Sequence, residues 1–238
     1  MIHEPTDAAP PSAVAVLVSG GLDSAVLLVD QALRAPVQPV YIKAGLAWEP
    51  VEREYLDRFL ERERGRLSEV GLQNRLSMVA VLEVPMRQVY GMGHWAIRGT
   101  PPSYNTRDDE VYLAGRNVIL LAQAGVFCGA RGISRVAIGT LAGNPFPDAT
   151  AEFFEAMGRT LSVGLGQSVR IEAPYRALHK TDIIRRGAEL GVALELTLSC
   201  MNPEHGLHCG ACSKCRERHE SFLEAGLKDP TVYLGVRS

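Results

Sequence analysis

Six consecutive residues near the N-terminus, Ser19-Gly-Gly-Leu-Asp-Ser24, have the types and spacing of a loop that binds phosphate. Glycine lacks a Cβ atom, so two adjacent glycines let backbone N–H groups approach an anion closely. The apolar run 14–18 before the loop predicts a buried strand. The residues after the loop predict a helix, whose N-terminus attracts negative charge. We therefore expect this segment to bind the phosphates of a nucleotide.

Asp23 distinguishes this loop from a plain glycine turn, which is the alternative interpretation. A carboxylate beside phosphates is repulsive unless it caps the helix or holds a magnesium ion. A Walker A loop needs Gly-Lys followed by Ser or Thr, which the chain lacks, and the dinucleotide pattern GxGxxG is absent here. SGGLDS instead resembles the signature SGGxDS of PP-loop ATP pyrophosphatases, which implies an ATP site with Mg2+. Its expected nucleotide contacts are Ser19, Gly20, Gly21, Leu22, Asp23 and Ser24.

A second cluster holds four of the chain's five cysteines in one short stretch: Cys200, Cys209, Cys212 and Cys215. Four thiolates at this spacing can enclose a tetrahedral zinc ion, with Gly210 easing the turn between ligands. A site closed by four cysteines has no open position for water, so we predict a structural zinc rather than a catalytic one. His205 and His208 are alternative ligands, but we expect both to be exposed loop residues.

Two disulfides are the competing interpretation of these cysteines, and they would require an oxidising compartment. The first ten residues, MIHEPTDAAP, lack the basic region of a secretory signal, and the run 14–18 is too short for a membrane span. We therefore expect a cytoplasmic protein with reduced cysteines and no membrane partner. Cys128 stands alone in an apolar stretch, where an inert buried thiol is expected.

The composition predicts one large hydrophobic core and argues against a nucleic-acid partner. The chain has 238 residues, of which 46% are hydrophobic and 22% are charged, with a formal net charge of -2. Lysine and arginine are dispersed along the chain, so the long basic stripe that tracks a phosphate backbone is missing.

Apolar runs that alternate with helical patterns predict five strands with helices between them. The predicted strands are 13–18, 38–42, 77–84, 134–139 and 168–173, and the predicted helices are 23–34, 50–63, 116–130, 149–163 and 180–190. Because parallel crossovers are right-handed, this order favours an α/β fold with a five-stranded, doubly wound, Rossmann-like parallel sheet. Residues 1–196 are assigned to this domain, and residues 197–238 to a zinc-binding subdomain with one helix.

Ligands of doubly wound sheets bind beyond the carboxyl ends of the strands. In this chain Ser19, Lys43, Gly139 and Ala173 mark those ends, so functional side chains should follow them. The stretch 85–110 has no clear periodicity and is rich in glycine and proline, and we expect it to form a lid.

With these motifs located, the chain resembles the QueC family of 7-cyano-7-deazaguanine synthases, PP-loop ATP pyrophosphatases of the adenine nucleotide alpha hydrolase-like type. The resemblance covers nearly the whole chain and rests on SGGLDS, Gly115-Arg-Asn117, Ile138-Gly139, Asp148, His179-Lys180 and the cysteine cluster. It implies that Asp23, Arg116 and Lys180 are catalytic, with Arg116 a fixed charge near the ATP phosphates and Lys180 a point charge for departing pyrophosphate. It also implies that Asn117 and Gly139 contact the nucleotide. A solvated surface side chain is the alternative for Arg116, Asn117 and Lys180.

The resemblance implies conversion of 7-carboxy-7-deazaguanine, ammonia and two ATP into the nitrile preQ0, a precursor of queuosine. In that reaction the carboxylate attacks the α-phosphate of ATP, and ammonia turns the resulting acyl adenylate into an amide. A second adenylation, on the amide oxygen, and loss of AMP then give the nitrile. The resemblance further implies a homodimer.

Departures from the family pattern fall where the deazaguanine would bind. The family's DYGQRH-like stretch is replaced by Lys43-Ala-Gly-Leu-Ala-Trp-Glu49, and its GYPDCRPEF is replaced by NPFPDATAEF over residues 144–153. Asp148 is expected to accept hydrogen bonds from the aminopyrimidinone, and Phe146 to stack on the heterocycle. An alternative role for Asp148 is the N-cap of the next helix.

Two other functions stay open at this point. A QueC-like ligase would adenylate a different carboxylate, or join a deazapurine to a protein or an amine, and would still release AMP and pyrophosphate. A nucleotide-binding regulatory or tRNA-associated module would dock a partner through its zinc site and show no ammonia-dependent turnover. The missing basic stripe argues against the tRNA version.

Overall fold

The computed structural model describes residues 12–235, apart from the side chain of Asp108. Five strands form one parallel sheet in the order β3-β2-β1-β4-β5. They are β1 Val14–Leu17, β2 Val37–Lys43, β3 Ala80–Glu83, β4 Arg135–Ala137 and β5 Arg170–Glu172. The predicted fold class is therefore confirmed. Because the direction of winding reverses between β1 and β4, a crevice opens at the carboxyl ends of these two strands.

Eight α-helices accompany the sheet in residues 12–235: α1 Leu22–Ala32, α2 Glu49–Glu69, α3 Arg87–Tyr90, α4 Trp95–Arg98, α5 Arg116–Gly129, α6 Ala151–Leu165, α7 Lys180–Glu189 and α8 Ser213–Ala225. None of these helices is both long enough and apolar enough to cross a membrane. Helix α2 continues beyond the predicted end at residue 63, because Leu67 is buried in the core. Helix α6 begins later than predicted, because Thr150 caps it by accepting the backbone N–H of Phe153 at 3.1 Å.

The sheet separates two hydrophobic cores. Val14 and Val16 of β1 face one core with α1 and α7, whereas Ala15 and Leu17 face the other core with α5 and α6. This alternation follows from the two-residue period of a strand, and it makes β1 apolar on both faces. Strand β1 is thereby packed on both faces, and this packing holds the start of the loop that follows it.

The C-terminal segment packs against the sheet domain. Helix α8 lies along α7, and its Phe222 belongs to the same core as β1 and α1. Arg218 of α8 is buried and donates hydrogen bonds to the backbone oxygen of Leu194 at 2.9 Å and to Oγ1 of Thr197 at 2.8 Å. Among the described residues after 197, α8 is the single helix and no strand joins the sheet. The domain boundary at 196/197 stays a prediction.

The stretch 85–110, predicted to be a lid, contains the short helices α3 and α4 and a 3-10 turn that begins at its end. Met86 and Ala96 are buried against Trp48 and Met201. The segment is thus anchored by an apolar cluster of its own, and its movement as a lid stays a prediction.

Candidate active site

The carboxyl ends of β1, β2 and β4 open into a cavity of about 440 Å3, within the range of sites for small molecules and cofactors. The walls are the β1–α1 loop, the start of α5, the loop after β4, and the first turns of α7 and α8. The site residues predicted from the sequence that line it are Ser19, Gly21, Leu22, Asp23, Ser24, Arg116, Asn117, Gly139, Phe146, Asp148 and Lys180. Gly20 lies behind them, against α2.

The β1–α1 loop, residues 19–24, is held by its glycines and by two serines. Gly20 has a φ of +68°, and a Cβ there would lie 2.9 Å from the backbone oxygen of Glu52, so any larger residue would be strained and would collide. Ser24 Oγ donates to the backbone oxygen of Gly21 at 3.0 Å and accepts the backbone N–H of Ser19 at 3.2 Å. Since Gly21 caps α1 without a side chain, the first N–H groups of α1 are available to an anion.

Asp23 of this loop forms an ion pair with Lys180, the first residue of α7. Lys180 Nζ lies 2.6 Å from Asp23 Oδ2 and 3.5 Å from Oε1 of Glu217, which comes from α8. Burial alone would lower the pKa of Lys180, but the two carboxylates outweigh it and raise that pKa above its usual value. Burial likewise opposes ionisation of Glu217, yet Lys180 and Lys214 lower its pKa to about 2. This part of the cavity lining therefore carries charges of both signs, from Asp23, Lys180 and Glu217.

Two charged side chains in the cavity wall have a buried atom with no hydrogen-bond partner in the described structure. They are Asp23 Oδ1 and Arg116 Nε. Leaving such an atom unpaired costs about 1–3 kcal/mol, and more for a charged group. The orphan carboxylate oxygen fits a cation such as Mg2+, because hard cations prefer oxygen ligands, and the guanidinium fits a phosphate.

Asp148 fixes the start of α5 rather than the start of α6. Its Oδ2 accepts the backbone N–H of Asn117 at 3.0 Å, and Asn117 Nδ2 donates to the backbone oxygen of Asp148 at 2.9 Å. Gly115, the N-cap of α5, has no side chain to do this. Because Thr150 caps α6, the alternative that Asp148 caps the next helix is wrong. Burial raises the pKa of Asp148, although the Asn117 N–H and the Arg116 charge partly oppose this.

Gly139 brings the end of β4 against the phosphate loop. A Cβ at this position would lie 3.3 Å from the backbone carbon and oxygen of Asp23 and from the backbone nitrogen of Ser24. These are rigid backbone atoms, so the close approach requires glycine. The sequence motif Ile138-Gly139 thus has a packing reason that spacing alone did not reveal.

Two pairs of aromatic side chains line the cavity. Trp48 and Trp95 stack with ring centroids 5.9 Å apart, and Tyr112 stacks on Phe146 at 4.8 Å. Phe146 therefore already has a ring partner on one side. Such surfaces suit a flat heterocycle.

Two strand-end residues that the sequence placed on the functional rim lie outside the cavity lining. Lys43 instead pairs with Glu83 at 3.1 Å in an exposed salt bridge. Ala173 packs in the core beside α5 and α6. The residues at the carboxyl ends of β1 and β4, between which the winding reverses, therefore line the cavity as predicted. Lys43 after β2 and Ala173 after β5 do not.

Sequence reasoning missed three carboxylate or lysine side chains that line the cavity: Glu52, Lys214 and Glu217. Glu52 lies in the first turns of α2 and accepts the Tyr41 hydroxyl at 3.1 Å. Burial raises the pKa of Glu52 to about 7, against the attraction of Arg116. The position of Glu52 in the chain was the one sequence signal that could have identified it. Helix α2 follows the carboxyl end of β2, and β2 lies next to β1 in the sheet.

The four cysteines of the predicted metal site lie together, with all sulfur atoms within 4.8 Å of one another. Sulfur pairs such as Cys212–Cys215 at 3.5 Å and Cys209–Cys215 at 3.9 Å are close to the spacing of about 3.8 Å that a tetrahedron with metal–sulfur bonds of about 2.3 Å requires. Backbone N–H groups of Asn202 and Cys209 donate to Cys200 Sγ at 3.3 Å, which favours a thiolate. The donor set therefore fits a metal.

The two histidines near this cluster differ from one another. His205 is exposed, as predicted, but His208 is 1% exposed, so its assignment to the surface was wrong. His208 Nε2 accepts the backbone N–H of Ser199 at 3.1 Å. Burial and the nearby Arg218 lower the pKa of His208 to about 3, so this ring is neutral and serves the packing of the loop.

A protein-family model and several curated proteins match this chain, and they point to the same family. The family model described as "Queuosine biosynthesis protein QueC" matches residues 13–226. A 7-cyano-7-deazaguanine synthase from Methanopyrus kandleri is 31% identical over 92% of this chain and 97% of its own length. One from Thermoplasma volcanium is 30% identical over 94% and 91%, and one from Thiobacillus denitrificans is 32% identical over 92% and 96%.

Proposed function

The chain belongs to the QueC family, and from this premise we propose that it uses ATP and ammonia to convert 7-carboxy-7-deazaguanine into 7-cyano-7-deazaguanine. One observation about the site carries the proposal most directly. The phosphate loop, the orphan Arg116 Nε, the orphan Asp23 Oδ1 and the Lys180 ammonium all border one cavity. A nucleoside triphosphate with its Mg2+ supplies the missing partners: a phosphate oxygen for Arg116 Nε, and the cation for Asp23 Oδ1.

In the proposed chemistry ATP activates two poor electrophiles in turn, first the carboxylate of the substrate and then the amide made from it. The carboxylate oxygen of the substrate attacks the α-phosphorus, the bond to pyrophosphate breaks, and an acyl adenylate forms. Ammonia displaces AMP and leaves an amide. The amide oxygen then attacks the α-phosphorus of a second ATP, and the bond to pyrophosphate breaks. Cleavage of the C–O bond releases AMP, and loss of the two N–H protons gives the nitrile. One site serves both rounds, because each round begins with a substrate oxygen that attacks the α-phosphorus of an ATP bound in the same place.

The proposed roles of the charged residues follow from their positions. Arg116 Nε pairs with a phosphate oxygen near the start of α5, where the helix N-terminus adds positive potential. Lys180 stabilises the negative charge that develops on pyrophosphate as it leaves. Ser19 to Ser24 cradle the phosphates through backbone N–H groups, and Asn117, whose own N–H is taken by Asp148, positions the start of α5.

The proposal assigns two metals on the fit of their donor atoms. Asp23 Oδ1 would hold Mg2+, which neutralises phosphate charge when bound. Cys200, Cys209, Cys212 and Cys215 would hold zinc, which would stabilise the described part of the predicted subdomain, residues 197–235. Because thiolates must stay reduced, the proposal places the protein in the cytoplasm.

The heterocycle of the substrate is proposed to lie against the aromatic side chains of the cavity. Phe146 presents the face that Tyr112 leaves uncovered, and Asp148 offers its second carboxylate oxygen to the amino group and ring N–H of the aminopyrimidinone. The buried position of Asp148 makes this recognition costly for a substrate that lacks those donors.

We further propose a homodimer through the outward face of α5. This helix carries only one polar residue after its first turn, Gln123, and Val118 and Val126 on its outer side are 40% and 53% exposed. A helix that is apolar on all sides is ordinarily buried, and a second copy of the chain would cover this one.

The test is incubation of the purified protein with ATP, Mg2+, ammonium and 7-carboxy-7-deazaguanine, with AMP followed by chromatography and the heterocycle by mass spectrometry. Formation of nitrile with AMP supports the proposal. AMP with an amide or adenylate as the final product would identify a ligase that stops earlier. No AMP above the level without the deazaguanine would contradict the proposed substrate and direct the search to other carboxylates.

A further inference from the structure

Glu52 is a cavity-lining carboxylate that the proposed function has not used. Its side chain lies against the phosphate loop, where its Cγ would be 3.3 Å from a Cβ on Gly20. The residue is 8% exposed, and Oε1 accepts the hydroxyl of Tyr41 at 3.1 Å. A buried negative charge beside bound phosphates is unfavourable, so the carboxylate at this position is a candidate for a role in the reaction.

The groups around Glu52 allow it to gain and lose a proton near neutral pH. Burial raises its pKa most, and the neighbouring Glu49 on the same helix adds to this. Arg116 from α5, the hydroxyl of Tyr41 from β2 and the side chain of Trp48 oppose the rise, and the outcome is a pKa of about 7. A carboxylate in this balance accepts a proton more readily than an ordinary surface glutamate.

The amide-forming step needs such an acceptor. When the lone pair of ammonia attacks the carbonyl carbon of the acyl adenylate, a C–N bond forms and the nitrogen becomes positively charged. One N–H proton must leave the nitrogen as the C–O bond to AMP breaks, and AMP departs with that electron pair. The balance is acyl adenylate plus ammonia giving amide, AMP and one proton.

Four carboxylates line the cavity in the described structure: Asp23, Glu52, Asp148 and Glu217. Asp23 is paired with Lys180 at 2.6 Å, and Asp148 accepts the N–H of Asn117. Glu217 is a weak base, because two lysines hold its pKa at about 2. Glu52 has no cationic partner within salt-bridge distance among the described ion pairs.

We propose that Glu52 accepts the proton released when ammonia attacks the acyl adenylate, and passes it to solvent before the next round. This inference rests on the proposed function, which supplies the adenylate and the ammonia. It assigns Glu52 to the ammonia step alone, so adenylation of the acid should proceed without it.

The test compares the wild-type protein with Glu52→Gln, which keeps the shape and the acceptor for Tyr41 but removes the base. Adenylation is measured alone, as exchange of labelled pyrophosphate into ATP with 7-carboxy-7-deazaguanine and no ammonia. The rate of the full reaction is measured as amide and nitrile formed, and it is divided by the concentration of free ammonia. This division removes the pH dependence that comes from the titration of ammonium itself. Hydroxylamine replaces ammonia in a third assay, because its nitrogen loses a proton to water more easily.

We expect Glu52→Gln to keep pyrophosphate exchange within about threefold of wild type and to lose about 10²-fold in the ammonia-dependent rate. We expect the hydroxylamine rate to fall much less. The wild-type rate per free ammonia should rise with pH through about 7, as Glu52 loses its proton, and the variant should lack this rise. Tyr41→Phe removes a hydrogen bond that stabilises the charged carboxylate, so it should move the midpoint to higher pH.

Glu49→Gln is the matched control, because Glu49 is also buried in the first turn of α2 but accepts backbone N–H groups of Ala44 and Gly45 and does not line the cavity. It should lower thermal stability and retain the rise with pH, with a midpoint at lower pH because Glu49 no longer raises the pKa of Glu52. An unchanged ammonia rate in Glu52→Gln, or an equal loss of exchange and amide formation, would overturn the proposal. If wild type itself shows no exchange with the deazaguanine acid, the proposed function fails, and the role of Glu52 fails with it.

Discussion

Replacing Lys180 by methionine tests the proposed role of the Lys180 ammonium most directly, because it removes one charge and keeps most of the side-chain volume. In the structure Lys180 Nζ lies 2.6 Å from Asp23 Oδ2 and 3.5 Å from Glu217 Oε1, and the side chains of Lys180 and Asp23 are 21% and 25% exposed. Surface ion pairs contribute about 0–1 kcal/mol, whereas breaking a buried one costs about 3–5 kcal/mol. For this intermediate exposure we expect the free energy of unfolding to fall by about 1–3 kcal/mol.

The effect on catalysis should be larger than the effect on binding of ATP. Lys180 is proposed to act on charge that develops as pyrophosphate leaves, so its loss should reduce kcat by about 10²–10³-fold, or about 2.7–4 kcal/mol. The KM for ATP should change much less, because an interaction made mainly in the transition state lowers kcat. The assay is pyrophosphate exchange with the deazaguanine acid at several ATP concentrations.

Lys43→Met is the matched control, since Lys43 has an exposed partner and does not line the cavity. It should leave exchange and thermal stability within experimental scatter of wild type. A Lys180→Met protein that is folded at the assay temperature and exchanges within twofold of wild type would refute the assignment of Lys180 to pyrophosphate release. A loss confined to the KM for ATP would refute the transition-state role.

Three further predictions follow from the site, the cysteine cluster and α5. Asp23→Asn should abolish AMP formation while the far-UV circular dichroism stays native, and raising Mg2+ should restore little activity; near-normal turnover would contradict the assignment of Asp23 to the metal and phosphates. Cys212→Ser should lower bound zinc, measured by mass spectrometry of protein purified under reducing conditions, from about one ion per chain and should reduce the melting temperature; wild type without zinc would contradict that assignment. Val126→Arg should convert a dimer into a monomer in light scattering without loss of fold, whereas a monomeric wild type would rule out the proposed interface.

The sequence predicted the sheet because its signals were local. Val14 to Val18 reads as a buried strand, the glycine pair predicts the turn after it, and the right-handed crossover rule limits the order of the strands. The cysteine cluster was equally clear, because its ligands are close in sequence and their spacing is typical of metal sites. Both inferences needed no knowledge of distant contacts.

The residues that were missed or misplaced depend on distant contacts. Glu217 and Lys214 reach the cavity only because α8 packs along α7, and no periodicity within α8 encodes that placement. His208 was expected at the surface, but it is enclosed by Tyr55 and Tyr233, which are far away in sequence. Asp148 was considered as a cap for the helix that follows it, yet its partner is Asn117, 31 residues earlier.

The link between Asp23 and Lys180 joins residues that the ribosome makes at very different times. Lys180 is added 157 residues after Asp23, an interval of about 8–30 s at ordinary rates of synthesis. The backbone N–H of Leu198, which donates to the oxygen of Gly20 at 2.9 Å, and the carboxylate of Glu217 arrive later still. A nascent or truncated chain that ends before α7 therefore has the glycine loop but lacks Lys180, to which we assign pyrophosphate release. Under the role that we propose for Lys180, we expect such an unfinished chain to cleave ATP far more slowly than the complete protein.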